Sequence, residues 1–249
     1  MARHFSRLAQ GYALAVGLIF ASPSYADDIF KGARGPIGKD WQIDERVACA
    51  VYQESVQISN NFILKYWTGD AAGKWVFVNV PYKLSVSEAG SKAGLGDISV
   101  GAGPRGRIGS LHWISYAGMT FPSGETNEKI KLGTGRLDKK FGLFVTYNGT
   151  VELEGALEHN FTGRRDGLAV PDETYWGLLA GGKLTDKIRA VSGLTETHKE
   201  NGSFLLNSRS VARYTVSPKM HFEVVADIGL DSKNIPLGKS VGIYQRYNF

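Results

Sequence analysis

Beyond Tyr52, apolar and polar side chains alternate with a period of two, which marks strands that present two different faces. In Val151–Phe161, Val151, Leu153, Leu157 and Phe161 share one face with Gly155 and His159, and Glu152, Glu154, Glu158 and Asn160 share the other. Met220, Phe222, Val224, Ala226 and Ile228 oppose His221, Glu223, Val225 and Asp227 in the same way. Val76, Val78, Val80, Tyr82 and Leu84 line one side of a third segment. Leu111, Trp113, Ala117, Met119 and Phe121 line one side of a fourth, against His112, Tyr116 and Thr120. The pattern predicts strands near 55–67, 75–84, 95–108, 111–122, 138–147, 150–162, 174–184, 188–197, 204–216, 220–230 and 240–249.

Tight turns at Gly109-Ser110, Asn148-Gly149, 185–187 and 217–219 alternate with longer polar stretches at 85–94, 123–137, 163–173, 198–203 and 231–239. Short connections at one end and long ones at the other are the wiring of a transmembrane β-barrel, and a sandwich has no reason to keep that rhythm. Single-chain bacterial barrels close with an even number of strands. The segment 41–53 (WQIDERVACAVYQ) is therefore expected to supply one more strand. The fold class expected is all-β, an antiparallel transmembrane barrel of about 12 strands, with about ten as the fallback.

Composition sharpens this picture at the N-terminus. Arg3 and Arg7 precede a short apolar run, Ala13 to Phe20, and Ser24 and Ala26 sit just before Asp27 and Asp28. A basic head, an apolar stretch and small residues at the cut are the features of a secretory signal peptide, here residues 1–26. The run falls short of the roughly 20 apolar residues a spanning helix needs. Residues 27–40 then form an N-terminal tail on the periplasmic side, and 41–249 the barrel. The expected destination is the outer membrane, reached by the Sec route.

Removing Arg3 and Arg7 takes the formal net charge from +5 to +3 (5 − 2), too weak a balance to argue for a nucleic-acid partner. Cys49 is the single cysteine, which excludes an intrachain disulfide and a cysteine-based zinc site. No metal and no cofactor are expected.

If the apolar face meets lipid, charges on the other face point into the lumen. An Arg or Lys facing lipid at the midplane costs about 2–4 kcal/mol. The predicted pore-lining set is Lys83, Arg105, Arg107, Glu152, Glu154, Glu158, Arg209, Arg213, Glu223, Asp227 and Arg246. These residues can pair across neighbouring strands and fill a narrow barrel. They can also set a basic wall opposite an acidic one, which selects solutes by field and radius.

Tyr66, Tyr82, Trp113, Phe121, Tyr147, Phe161, Tyr175, Trp176, Tyr214, Tyr247 and Phe249 fall near predicted strand ends, as girdle aromatics do. Trp67 and Trp75 share that position but have inward parity. On the last strand Val241, Ile243, Tyr247 and Phe249 share one face, and Gln245 breaks the pattern. This arrangement resembles the C-terminal signal that the barrel-assembly machinery recognises.

A family resemblance enters through the middle of the chain. Gly94-Leu95-Gly96-Asp97 at a strand start is followed by Pro122-Ser123-Gly124, then by Leu132-Gly133-Thr134-Gly135 and Asp138. In this order the motifs resemble the outer-membrane family named for the MetA pathway of phenol degradation. The resemblance implies a channel for small, often hydrophobic or aromatic compounds. Independently of the family, Gly133 and Gly135 suit positive φ where a long loop turns back into a strand. Asp138 suits bonds to nearby backbone N–H groups, and Asp97, one residue into a strand with inward parity, could reach the Arg105-side neighbours or the loop above it.

Enzyme readings find no support in the residues. His198-Lys199-Glu200-Asn201-Gly202-Ser203 has the residue types of a barrel phospholipase in the wrong order, and His159 lacks a following Ser. The remaining histidines lack metal-ligand spacing. The reading is a passive outer-membrane channel for a small solute, with outer-membrane lipid and the assembly machinery as its other partners. Two alternatives stand beside it: a closed structural or adhesive barrel that binds partners through its loops, and a lipid-modifying barrel enzyme.

Overall fold

The computed structural model describes residues 40–51, 55–69, 72–87, 90–124, 132–163 and 170–249. The expected signal peptide and N-terminal tail lie outside these, apart from Asp40, which opens the first strand.

The strands are β1 (Asp40–Val51), β2 (Ser55–Trp67), β3 (Ala72–Ser87), β4 (Gly90–Leu95), β5 (Ile98–Ile108), β6 (Leu111–Phe121) and β7 (Asp138–Asn148). They continue as β8 (Glu152–Phe161), β9 (Glu173–Lys183), β10 (Ile188–Lys199), β11 (Phe204–Ser217), β12 (Met220–Lys233) and β13 (Lys239–Asn248). Each pairs antiparallel with its sequence neighbours, with one exception. β4 and β5 pair in succession with the two ends of β3 and form one wall strand interrupted at Gly96-Asp97. The thirteen strands thus make twelve staves (13 − 1). β1 pairs with β13 from Gln42↔Asn248 to Val51↔Lys239 and closes the barrel. Closure leaves no strand edge open, the requirement for a sheet surrounded by hydrocarbon.

The segment 41–53 supplies the extra strand that an even count required, as β1 over Asp40–Val51, with 52 and 53 outside the described residues. The stretch 85–94, expected as a loop, is instead mostly strand, because β3 runs to Ser87 and β4 returns beside it from Gly90. Likewise β12 continues to Lys233, past the expected boundary. Both extensions stand at the long-loop end and carry Ser, Gly, Lys and Asp. Where both faces of a strand meet water, the alternation that betrays strands fades.

The short turns gather at one end. Asn148 N–H bonds Ser110 O at 2.9 Å across two of them, and Asn248 N–H bonds Lys219 O at 2.8 Å. In the turn after β9 the Lys183 ammonium donates to the Asp186 carboxylate and holds its pKa below the usual range.

The outer wall carries exposed apolar side chains on most strands: Phe62, Val78, Met119, Leu143, Leu157, Leu178, Leu194, Val224 and Val241. Trp41 and Tyr66 touch at 4.8 Å, and Tyr247 meets Phe249 edge-on at 4.9 Å, all near the short-turn end. Tyr175, expected in a girdle, is buried inside and its neighbour Trp176 faces out. The hydrophobic core therefore lies within the lumen, and the lipid supplies the second apolar phase.

Candidate functional site: the lumen

Three tiers fill the described part of the lumen. The middle tier is an apolar ring, set nearer the short-turn end. Ile63 (β2), Trp75 and Phe77 (β3), Ile114 and Tyr116 (β6), Phe144 (β7), Ala156 (β8), Leu179 (β9), Val191 (β10), Val211 (β11), Val225 (β12) and Tyr244 (β13) form one buried cluster with Trp67. Ile114, Phe144 and Leu179 are 0 % exposed. Trp67 stacks on Trp75 at 5.2 Å, Trp75 stacks on Phe77 at 5.2 Å, and Tyr116 stacks on Phe144 at 6.1 Å. The Trp75 indole N–H donates to Ser115 O at 3.0 Å, which fixes the ring plane against the wall. One or two inward residues per strand near a common level make such a ring wherever alternating strands place apolar side chains inside.

From the ring's own level down to the short-turn end the charges divide between two walls, Asp44 and Arg46 being the register partners of the ring residues Ile63 and Tyr244. Asp44 on β1 receives Arg46 at 2.7 Å, Lys65 at 2.8 Å and Arg246 at 2.8 Å, all three cations nearly fully buried. Arg46 also lies 5.5 Å over the Tyr244 ring. Three cations around one carboxylate make this wall net positive. On the opposite wall Glu152 on β8 pairs with Arg189 on β10, and between the two walls Arg213 on β11 pairs with Glu223 on β12, its register partner. Glu154 is buried on the same strand as Glu152. β1 and β8 stand six staves apart either way round the ring, so the basic and acidic walls oppose each other.

Above the ring, the Arg209 guanidinium grips Asp227 with two bonds of 2.7 and 3.0 Å and reaches the Tyr175 hydroxyl at 3.3 Å. Ser240 Oγ donates to the same Asp227 at 3.2 Å. Glu158 accepts from the Tyr116 hydroxyl and lies 3.8 Å from the Lys140 ammonium. Fork-shaped pairing of this kind holds a buried charge in place, since an unpaired one would cost several kcal/mol.

The sequence-predicted lining residues have distinct fates. Glu152, Glu154, Glu158, Arg209, Glu223, Asp227 and Arg246 all face inward and are buried, and inward Arg213 is half-buried. Arg105 is also buried inside, over the Trp67 ring at 5.1 Å, and donates to Gly69 O. It does not neighbour Lys83. Arg105 faces Gly73 at the short-turn end, whereas Lys83 faces Gly94 near the loops, because β3 and its partner stave run antiparallel. Arg107 is exposed at the rim, donating to Gly109 O at 2.9 Å. Sequence reasoning missed Gln42, Asp44, Arg46 and Lys65, although Gln42, Asp44 and Arg46 alternate against Ile43 and Val47. Among the described residues no group of three His, Cys, Asp or Glu side chains is placed to hold a metal ion.

The glycine and aspartate motifs meet at the loop end. The Asp97 carboxylate accepts the Gly124 N–H at 2.9 Å, the Thr134 N–H and the Thr134 hydroxyl at 2.7 Å. Ser123 Oγ accepts the Ile98 N–H at 2.8 Å and donates to Gly96 O at 3.0 Å. Leu132 is buried against Gly94 and Gly96, on the inward side of the interrupted stave. Asp97 therefore reaches the loop above it and not the Arg105 side. Gly135 has the expected positive φ of 71°. Gly133 does not, and its reason is space, since a Cβ there would stand 2.2 Å from Asp97 Oδ1. Asp138 accepts Arg136 Nε at 2.7 Å and the Gly163 N–H at 2.9 Å, tying the next loop to the first. Pro122 begins the clasped loop.

A closed antiparallel barrel with a lipid-facing apolar wall and a charged interior defines an outer-membrane β-barrel. Its fold is that of the COG4313 outer membrane channel from Pseudomonas putida F1, at a TM-score of 0.70 and 14% identity, covering 86% of this chain and 96% of that one. The translocator domain of the autotransporter NalP from Neisseria meningitidis matches at a TM-score of 0.61 and 12% identity, covering 99% of both chains. The NanC porin matches at 0.55 and 12% identity, over 82% of this chain and 98% of that one. The chain belongs to the family described as "Putative MetA-pathway of phenol degradation", which matches residues 31–243. A comparison with curated proteins found no match.

Proposed function

We propose that the protein is an outer-membrane channel through which a small solute diffuses passively, with the apolar ring as its constriction. The observation that carries this reading is the opposition of a basic wall at Asp44, Arg46, Lys65 and Arg246 to an acidic wall at Glu152 and Glu154. A barrel that served only as a scaffold would gain nothing from separating its charge by wall. Such a separation lays a transverse field across the path, which discriminates solutes by charge and dipole. A solute arriving from the loop end meets the Arg209–Asp227 tier, then the ring with the two charged walls at and below its level. The ring must yield for passage, and Phe144, Trp75 and Leu179 are the side chains that would move. The family's implied cargo, small hydrophobic or aromatic compounds, suits a ring of aromatic and aliphatic side chains. The outward face of Val241, Ile243, Tyr247 and Phe249 is read as the signal for the assembly machinery.

The test is the reversal potential of the refolded protein in a planar bilayer under a salt gradient. Changing Glu152 and Glu154 to Gln removes the acidic wall, and with Glu158→Gln above the ring it should shift selectivity towards anions. An unchanged reversal potential would take those residues out of the conduction path. A second reading, a closed structural barrel that binds partners through its loops, is favoured by the full burial of Ile114, Phe144 and Leu179. It requires bilayers that stay silent under every condition that keeps the protein folded.

A further inference from the structure

Among the described residues the outer wall carries charge in one place where hydrocarbon should be. Glu45 on β1 is exposed and faces outward, between Ile43 and Val47. Trp41 marks the girdle on the same strand, and Glu45 lies four residues further along (45 − 41). At a rise of about 3.3 Å per residue and a tilt of about 40°, that places Glu45 roughly 10 Å above the girdle. In an apolar band about 25 Å tall this is close to the midplane. Other charged side chains on the outer face, such as Lys74, Lys139, His159 and Glu196, lie within a few residues of a strand end.

Two primary amides surround Glu45. Asn60 Nδ2 donates to Glu45 Oε1 at 3.1 Å. Gln245 is exposed and stands directly across the β1–β13 seam as the register partner of Glu45. It is also the residue that interrupts the apolar alternation of the last strand. Around the trio the wall is apolar: Ile43 and Val47 on β1, Phe62 and Leu64 on β2, Tyr82 on β3, Ile243 and Tyr247 on β13. Hydroxyls elsewhere on the outer face satisfy one another, as Ser192 and Ser210 do at 2.9 Å. The Glu45 carboxylate has further acceptor capacity than Asn60 fills.

An ionisable group in the membrane interior needs a partner. A patch with a carboxylate acceptor and amide donors is complementary to itself, the condition for a two-fold contact. Glu45 and Gln245 sit on adjacent strands at nearly one level. A two-fold axis along the membrane normal therefore brings Glu45 of one copy to Gln245 of the other, with the apolar rim closing around both. We propose that this face of the β13–β1–β2 wall is where a second copy of the chain docks, with the Glu45–Gln245 hydrogen bonds at its centre. The inference does not depend on what the lumen carries.

The test is chemical crosslinking in intact outer membranes. In a Cys49→Ala background, Val47→Cys, on the same outward face of β1 as Glu45, is bridged with a bis-maleimide, beside Leu178→Cys on the far wall as a control. The proposal expects Val47→Cys to run at twice the chain mass and Leu178→Cys to stay monomeric. Adding Glu45→Leu, with folding verified by heat-modifiable mobility, should lower the crosslinked fraction roughly five-fold. Crosslinking of Val47→Cys no greater than that of Leu178→Cys would overturn the proposal. So would an adduct of any other mass, or a crosslinked fraction that Glu45→Leu leaves unchanged.

Discussion

Replacing Asp97 by Asn should release the 122–137 loop from the wall while leaving the barrel folded. The Asp97 carboxylate accepts three bonds, from the Gly124 N–H, the Thr134 N–H and the Thr134 hydroxyl. Asn can keep its oxygen towards Gly124, and the Thr134 hydroxyl can turn to accept from the new amide. The Thr134 N–H then meets a donor. A hydrogen bond to a charged group contributes about 1.5–3 kcal/mol, so losing this one and weakening its neighbours costs about 2–3 kcal/mol. That is about 30- to 150-fold in the population of the open loop. Trypsin reads this population. Leu132, which follows Lys131 in the sequence, is 1 % exposed, and trypsin must take Leu132 into its site to cut before it, so the cut requires Leu132 to leave its seat. When opening and closing are fast, the cleavage rate follows the open fraction. The product ending at Lys131, counted by mass spectrometry, should appear faster by that factor in Asp97→Asn. An unchanged rate would refute the clasp, and loss of heat-modifiable mobility would show that Asp97 holds the barrel and not the loop.

Gly133→Ala should accelerate the same cut, because its Cβ would stand 2.2 Å from Asp97 Oδ1 and 2.8 Å from Gly124 Cα. A wild-type cleavage rate would contradict the packing argument. Arg209→Met leaves Asp227 buried without its fork-shaped partner and should lower unfolding stability in urea by about 3–5 kcal/mol. Adding Asp227→Leu should recover most of that loss, and an unchanged midpoint for Arg209→Met would remove the pair from the stability of the lumen.

The barrel was legible because hydrocarbon enforces strict alternation on every stave. From Val151–Phe161 alone the inward set of Glu152, Glu154, Glu158 and Asn160 follows, and the structure places all four inside. Legibility failed where that constraint lapses. The extensions of β3, β4 and β12 beyond the membrane have two wet faces and read as loop. The first stave is short of strongly apolar residues on its lipid side, since Glu45 interrupts it, and its inward Asp44 and Arg46 escaped notice for the same reason. Tyr175 was assigned to a girdle from its position near a strand end, but parity gives that place to Trp176. The motif glycines and Asp97 were visible as a set. That they meet in space depends on how a loop folds back, which spacing along the chain does not encode. The apolar ring drew on inward residues scattered over ten strands, each unremarkable in its own segment.

The central claim is that the lumen is a path with the apolar ring as its narrowest part. Single-channel recording in a planar bilayer, comparing the refolded wild type with Phe144→Ala and Trp75→Ala, tests it most directly. The account predicts small discrete steps for the wild type and larger or longer openings in both variants, partly blocked by an added small aromatic solute. Bilayers that remain silent for all three folded proteins would contradict it and make the ring the core of a closed barrel.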